Sequence, residues 1–133
     1  MKAGYALDAS AILALLQAEP GHAVVLAHVE RGSCFISAVN VTEVLTRLID
    51  RGMSRDDAEA AFDALELEVA AFDADAARAA AALRPATRSQ GLSIGDRACL
   101  ALAQHRKTAA VTADRAWQKL DCGIRIELIR PAS

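Results

Sequence analysis

A three-layer α/β/α sandwich around a mostly parallel sheet of about five strands is the fold class this 133-residue sequence predicts. Three observations lead there. Short β-prone apolar runs alternate along the chain with longer segments of helical periodicity. Those runs are mostly apolar on consecutive residues, as in strands covered on both faces. Alanine fills 31 positions against 4% aromatic residues, which suits tightly packed helices. The length fits a single domain, 1–133, with enough chain to bury a core.

The elements follow in order. Gly4 to Leu7 is a short apolar run ending at Asp8, and Ser10 to Leu16 reads as the helix after it. Pro20-Gly21 breaks that helix; His22 to Arg31 forms the next, with Val25, Leu26 and Val29 on one face and Gly32 as its stop. Cys34 to Ser37 is a compact β-prone run, read as a buried strand. Val41, Val44, Leu45 and Leu48 then recur at helical spacing until Arg51-Gly52. Ser54 opens another helix, with Ala58, Ala61, Phe62 and Leu65 inward. Val69 to Phe72 reads as a third strand, and the alanine run from Ala74 to Leu83 as a helix closed by Pro85. Arg84 to Leu92 is expected to be a polar loop, and Ser93 opens a helix ending near His105. Ala109 to Thr112 is a fourth strand, Arg115 to Leu120 a short helix, and Ile124 to Ile129 a last strand.

Hydrophobic residues at 53% and charged residues at 24% exclude a disordered chain. Cys34, Cys99 and Cys122 are odd in number and lack C-x-x-C spacing, and His22, His28 and His105 do not join them at metal-ligand spacing. They read as buried thiols of a reducing compartment. No apolar run reaches the roughly 18 residues that span a bilayer, and Asp8 interrupts the apolar start, so a cytoplasmic protein with no membrane partner is expected. The net charge of −2 hides a division: residues 1–73 carry five Lys/Arg and twelve Asp/Glu (−7), and residues 74–133 carry ten and five (+5).

In an open α/β sheet, ligands bind beyond the carboxyl ends of the strands. Asp8 ends the first strand, Asp114 follows the fourth, Glu43 lies six residues after the second, and Asp96 begins the helix after the arginine-bearing loop. Each has a plain structural role available. Asp8 and Asp114 can cap the helices after them, Glu43 can pair with Arg47, and Ser93 to Asp96 can form a capping box. As a set they say more, because clustered carboxylates repel one another and drive their pKa values up unless a cation neutralises them. Oxygen donors without His or Cys suit Mg²⁺ or Mn²⁺, and metal-assisted phosphodiester hydrolysis is the chemistry natural to such a site. A phosphatase using Asp8 as nucleophile generally needs a second Asp two residues on, where this chain has Ser10.

Four segments then resemble one family in order and spacing: Leu7-Asp8-Ala9-Ser10; Ser37 through Glu43; Leu92 through Ala103, with its Gly-Asp-Arg-Ala-Cys-Leu-Ala-Leu-Ala block; and Thr112 through Trp117. They resemble the PIN-domain ribonucleases, and among them the VapC-type toxins of bacterial toxin–antitoxin pairs. The resemblance implies a PIN-like fold and an acidic metal site of Asp8, Glu43, Asp96 and Asp114. Asp8 and Asp96 would be the direct ligands, with Glu43 and Asp114 on a second ion or orienting water. It implies that the Ser10 and Thr112 hydroxyls line the site. It further implies endonucleolytic cleavage of structured RNA such as tRNA or rRNA loops, a homodimer, and a cognate antitoxin that blocks the groove. A non-toxin RNA-processing nuclease and a catalytically inactive RNA- or protein-binding module are the alternatives. Arg84, Arg88, Arg97 and Arg115 are candidates to hold RNA phosphates, although Arg84 and Arg88 also read as solvated loop charges and Arg97 as a structural bond. Trp117 reads as a packing residue.

Overall fold

The computed structural model describes residues 4–130. β1 (Tyr5–Leu7), β2 (Cys34–Ser37), β3 (Glu68–Ala70), β4 (Ala109–Thr112) and β5 (Ile126–Leu128) form one sheet in the order β3-β2-β1-β4-β5, every neighbouring pair parallel. Seven helices surround it: α1 (Ala9–Leu16), α2 (His22–Glu30), α3 (Ala38–Asp50), α4 (Arg55–Asp63), α5 (Ala74–Ala82), α6 (Arg84–Thr87) and α7 (Ile94–Arg106). Register puts Leu7, Ile36 and Val111 on one face of the sheet, in a core shared with α1 to α4. Ala6, Phe35 and Ala110 point the other way, into a core shared with α5 and α7. The three-layer arrangement expected from the alternating pattern is the one observed.

Alanine explains how closely α7 sits on the sheet. Ala98, Ala101 and Ala103 are buried on its inner side, against strands that offer Ala6 and Ala110. Small side chains on both surfaces let backbone and sheet approach, and Trp117, fully buried in the same core, fills the volume they leave. Packing, not exposure, is therefore the role of Trp117. Between α1 and α2 the chain turns at Gly21, whose φ is 94°; a Cβ there would lie 2.6 Å from the Ile129 carbonyl oxygen.

Several elements depart from expectation. Residues 84–92 are not a loop: Pro85 sits in the first turn of α6, where a missing N–H costs nothing, and a 3-10 turn (Arg88–Gln90) follows. β3 begins at Glu68 and leaves Val69 47% exposed, because an edge strand has one flank uncovered. Its edge is tied down by Arg106, which forms a two-pronged pair with Glu68 while lying 4.4 Å above the Phe35 ring. On α2 the inner face is Val25, His28 and Val29, and Leu26 is 41% exposed. His28 goes inside because its ring stacks on Tyr5 at 3.8 Å and its Nε2 meets Glu127 on β5. The last strand is shorter than the apolar run suggests, and Cys122 is only half-buried, unlike Cys34 and Cys99.

Candidate active site

The chain leaves β1 for β2 on one side and later reaches β4 on the other, so a crevice opens at the carboxyl ends of β1 and β4. Leu7 pairs with Val111, which brings Asp8 and Thr112 out side by side. Asp8 is 3% exposed and caps α1: its Oδ1 accepts from Ala11 N at 2.8 Å and from the Ser10 hydroxyl at 2.7 Å, and its Oδ2 accepts from the Thr112 hydroxyl at 2.6 Å. Backbone N–H groups fix the direction of both hydroxyls. Ala113 N donates to Ser10 Oγ at 2.9 Å and Asp114 N to Thr112 Oγ1 at 3.0 Å, so each hydroxyl proton is turned toward Asp8. Burial nevertheless dominates and raises the Asp8 pKa to about 6; the bonds from Thr112, Ala11 and Ser10 oppose it, and the Asp96 charge adds to it.

Asp96 stands in the first turn of α7 in a reciprocal capping box: its Oδ2 accepts from Ser93 N at 2.9 Å, and its own N–H donates to Ser93 Oγ at 3.2 Å. Its pKa is also raised, first by burial, against which the bonds to Ser93 work, and further by the Asp114 charge. Glu43 comes from α3. Its Oε1 accepts from Asn40 Nδ2 at 2.7 Å, and the same amide donates to the Gly95 carbonyl at 3.0 Å. Asn40 thus joins α3 to α7 beyond the sheet edge. The Glu43 carboxylate rests directly on Gly95, within 2.4–2.5 Å of where a Cβ would stand. Asp114 caps the 3-10 turn Arg115–Lys119, accepting from Ala116 N at 2.9 Å. Cys99, fully buried beneath them, has its thiol pushed well up by burial and by the charges of Asp8, Asp96 and Glu43.

Asp8, Ser10 and Thr112 are hydrogen-bonded to one another and feel the Asp96 charge, while Glu43 is held against α7 and Asp114 stands after β4; the capping roles of Asp8, Asp96 and Asp114 are formed. The pairing of Glu43 with Arg47 is not formed; Asn40 is the partner. Each carboxylate turns one oxygen to a local donor, and among the described residues no three Asp, Glu, His or Cys side chains converge as a metal-ligand set. The second oxygens of Glu43, Asp96 and Asp114 accept no hydrogen bond among the described residues. The donors themselves, a buried Asp8 carboxylate bonded only to neutral groups and the second oxygens of Glu43, Asp96 and Asp114, are hard oxygens of the type a divalent cation takes.

Residues 5–122 match the PIN domain family. The chain belongs to that family. No curated protein sequence matches it. Among solved structures, the chain is similar to a DNA-bound VapBC from Salmonella typhimurium, with a TM-score of 0.76 and 20% identity over 96% of this chain and 99% of that one. It is similar also to Mycobacterium tuberculosis VapC20, described as a sarcin-ricin loop cleaving toxin (TM-score 0.66, 19% identity, 83% and 88% covered). A third likeness is to VapBC-5 of Mycobacterium tuberculosis (TM-score 0.65, 24% identity, 98% and 100% covered). At these identities the likeness is one of fold.

The arginines of this PIN domain divide. Arg97 is committed to structure: its Nη1 donates to the Ala80 carbonyl at 3.1 Å and its Nε is buried, so it does not reach out as the sequence allowed. Arg84 and Arg88 are exposed, Arg84 Nη1 lying 3.4 Å from the Leu92 carbonyl. Arg115 lines a cleft beside Ser10. Sequence reasoning missed Asn40 and Gly95. Both left a signal: Asn40 precedes Glu43 by three residues, on the same helix face, and a glycine inside the first turns of a helix often marks a close approach.

Proposed function

We propose that this PIN domain is a metal-dependent endoribonuclease of the VapC toxin type, acting on the phosphodiester bonds of RNA. The observation that carries the reading is Asp8, a buried carboxylate held by Ser10, Ala11 N and Thr112 at the sheet's switch point, with Asp96 close enough for its charge to act on it. Asp8 and Asp96 would hold Mg²⁺ or Mn²⁺, with Glu43 and Asp114 on a second ion or orienting the attacking water. A bound ion supplies Lewis-acid polarisation of the phosphate and charge neutralisation.

The chain's own residues do the remaining work. Ser10 and Thr112 keep the Asp8 carboxylate in one orientation and favour its ionised form. Asn40 holds Glu43 against α7. Ser10, bonded to Asp8 and Ala113 N, stands where a phosphatase would need a second carboxylate. The VapC-type reading carries with it a homodimer, a cognate antitoxin and a cytoplasmic setting. No helix among the described residues is long and apolar enough to cross a membrane.

The test is incubation of total RNA with purified, antitoxin-free protein, with and without Mg²⁺, beside Asp8→Asn. Cleavage that needs the ion and disappears in the variant is expected. Equal cleavage by the variant, or cleavage untouched by chelator, overturns the assignment. Growth of cells expressing the protein with and without the neighbouring reading frame separates a toxin from a processing nuclease.

A further inference from the structure

Beside the acidic site lies a cleft of about 550 Å³ that the function above does not use. Four arginines line it: Arg47 in the last turn of α3 and Arg51 at its C-cap, with Arg115 and Arg130. Glu19 is the acid among the described lining residues, and Arg115 is engaged in a contact of its own. The two Glu19 oxygens each take one arginine, Oε2 facing Arg51 Nη1 and Oε1 facing Arg130 Nη2, both at 3.4 Å. Arg130 is fixed further, its Nε donating to the Pro20 carbonyl at 2.8 Å. The cleft thus carries guanidinium groups held in place by a shared carboxylate and by backbone. Ser10, whose hydroxyl is bonded to Asp8, lines it too.

We propose that this cleft is a phosphate-binding track: it holds the RNA backbone flanking the scissile bond, so that the strand runs from the acids past Ser10 into the arginines. The proposal rests on the endoribonuclease reading and adds to it where the strand goes. A planar guanidinium offers forked donors that match phosphate oxygens in pairs, and several on one wall would take successive phosphates. A phosphodiester strand is the polyanion that fits, because cleft and acidic site share a wall at Ser10. Clustering arginines costs self-repulsion when empty, and a bound polyanion removes that cost.

Binding is the readout, kept apart from cleavage. A labelled single-stranded oligoribonucleotide is titrated against full-length Asp8→Asn protein over a range of salt concentrations, alone and with Arg47→Gln/Arg51→Gln or Arg130→Gln added. Each phosphate contact contributes about 0.7 to the slope of log affinity against log salt for a single strand. The double variant is expected to lose about 1.4 from that slope and Arg130→Gln about 0.7. Arg55→Gln, on the exposed pair with Glu59, leaves the slope unchanged. Thermal melting checks that each variant is folded. Unchanged slopes in both folded arginine variants overturn the proposal. So does binding of a hexaglutamate peptide that the arginine changes abolish while RNA binding persists, which assigns the cleft to a protein partner. Wild-type protein that binds RNA through these arginines yet cleaves none refutes the nuclease reading and leaves the track standing.

Discussion

Gly95→Ala is expected to separate stability from the proposed RNA cleavage. An alanine Cβ at this position would lie 2.4 Å from Glu43 Oε1 and 2.5 Å from its Cδ and Oε2. Ordinary van der Waals contact begins near 3.4 Å, so the carboxylate has to retreat by about 1 Å. It can do so, because Glu43 is exposed and the clash is with the far end of a flexible side chain. The backbone of α7 need not move, and at this second residue of the helix, whose φ is not positive, alanine for glycine stabilises by about 0.4–1 kcal/mol through the unfolded chain's lost freedom. Thermal denaturation is therefore expected to show an unchanged or slightly raised midpoint. Cleavage should fall steeply, since a misplacement of about 1 Å among catalytic groups costs on the order of 100-fold. The assay pairs a melting curve with initial rates on RNA at saturating Mg²⁺. A folded variant cleaving within twofold of wild type refutes the placement of Glu43 in the site, and a large loss of stability refutes the claim that the side chain alone gives way.

Three further predictions concern neighbouring residues. Asp8 titrates at about 6 in the fold against an ordinary 3.8, so the metal-free native state binds the extra proton between those values and loses stability as pH rises through them. The loss is about 3 kcal/mol, read as the pH-dependent difference in chemical denaturation between wild type and Asp8→Asn. Mg²⁺ should restore stability at neutral pH, and its affinity should weaken as pH falls through 6; metal-free wild type gaining stability over the variant from pH 4 to 7 contradicts this. Thr112→Val strands Asp8 Oδ2 and Asp114 N, costing about 1–3 kcal/mol, and removes a bond that lowers the Asp8 pKa, so the acidic limb of the pH–rate profile moves upward. An unmoved limb counts against the role given to Thr112. Trp117→Ala should cost about 3–5 kcal/mol in urea unfolding, and Trp117→Phe much less; a stable alanine variant with weakened RNA binding would make Trp117 a stacking platform instead.

Much of this protein was legible in one dimension. Period and apolar density gave the strand–helix order, since a strand buried on both faces and a helix buried on one leave different repeats. Asp8, Asp96 and Asp114 were locatable because each begins a helix or turn directly after a strand or loop that the pattern marks. The α6 segment was missed because proline, read as a stop, also starts helices. Leu26 and His28 exchanged places because the rotation of α2 about its axis is set by Tyr5 and Glu127, residues far off in the chain.

By itself the sequence determined the layered fold and the capping carboxylates Asp8, Asp96 and Asp114, because periodicity and capping act over a few residues. Only the tertiary structure decided what stands beside them. The division of charge into an acidic and a basic half does not survive folding: Arg47 and Arg51, from the acidic half, meet Arg115 and Arg130 from the basic one across a single cleft. Likewise Glu43 looks to Asn40 and Gly95 instead of its helical neighbour Arg47. Hydrogen bonds and charges act through space, and in a parallel sheet neighbouring strands join residues far apart in the chain, such as Asp8 and Thr112.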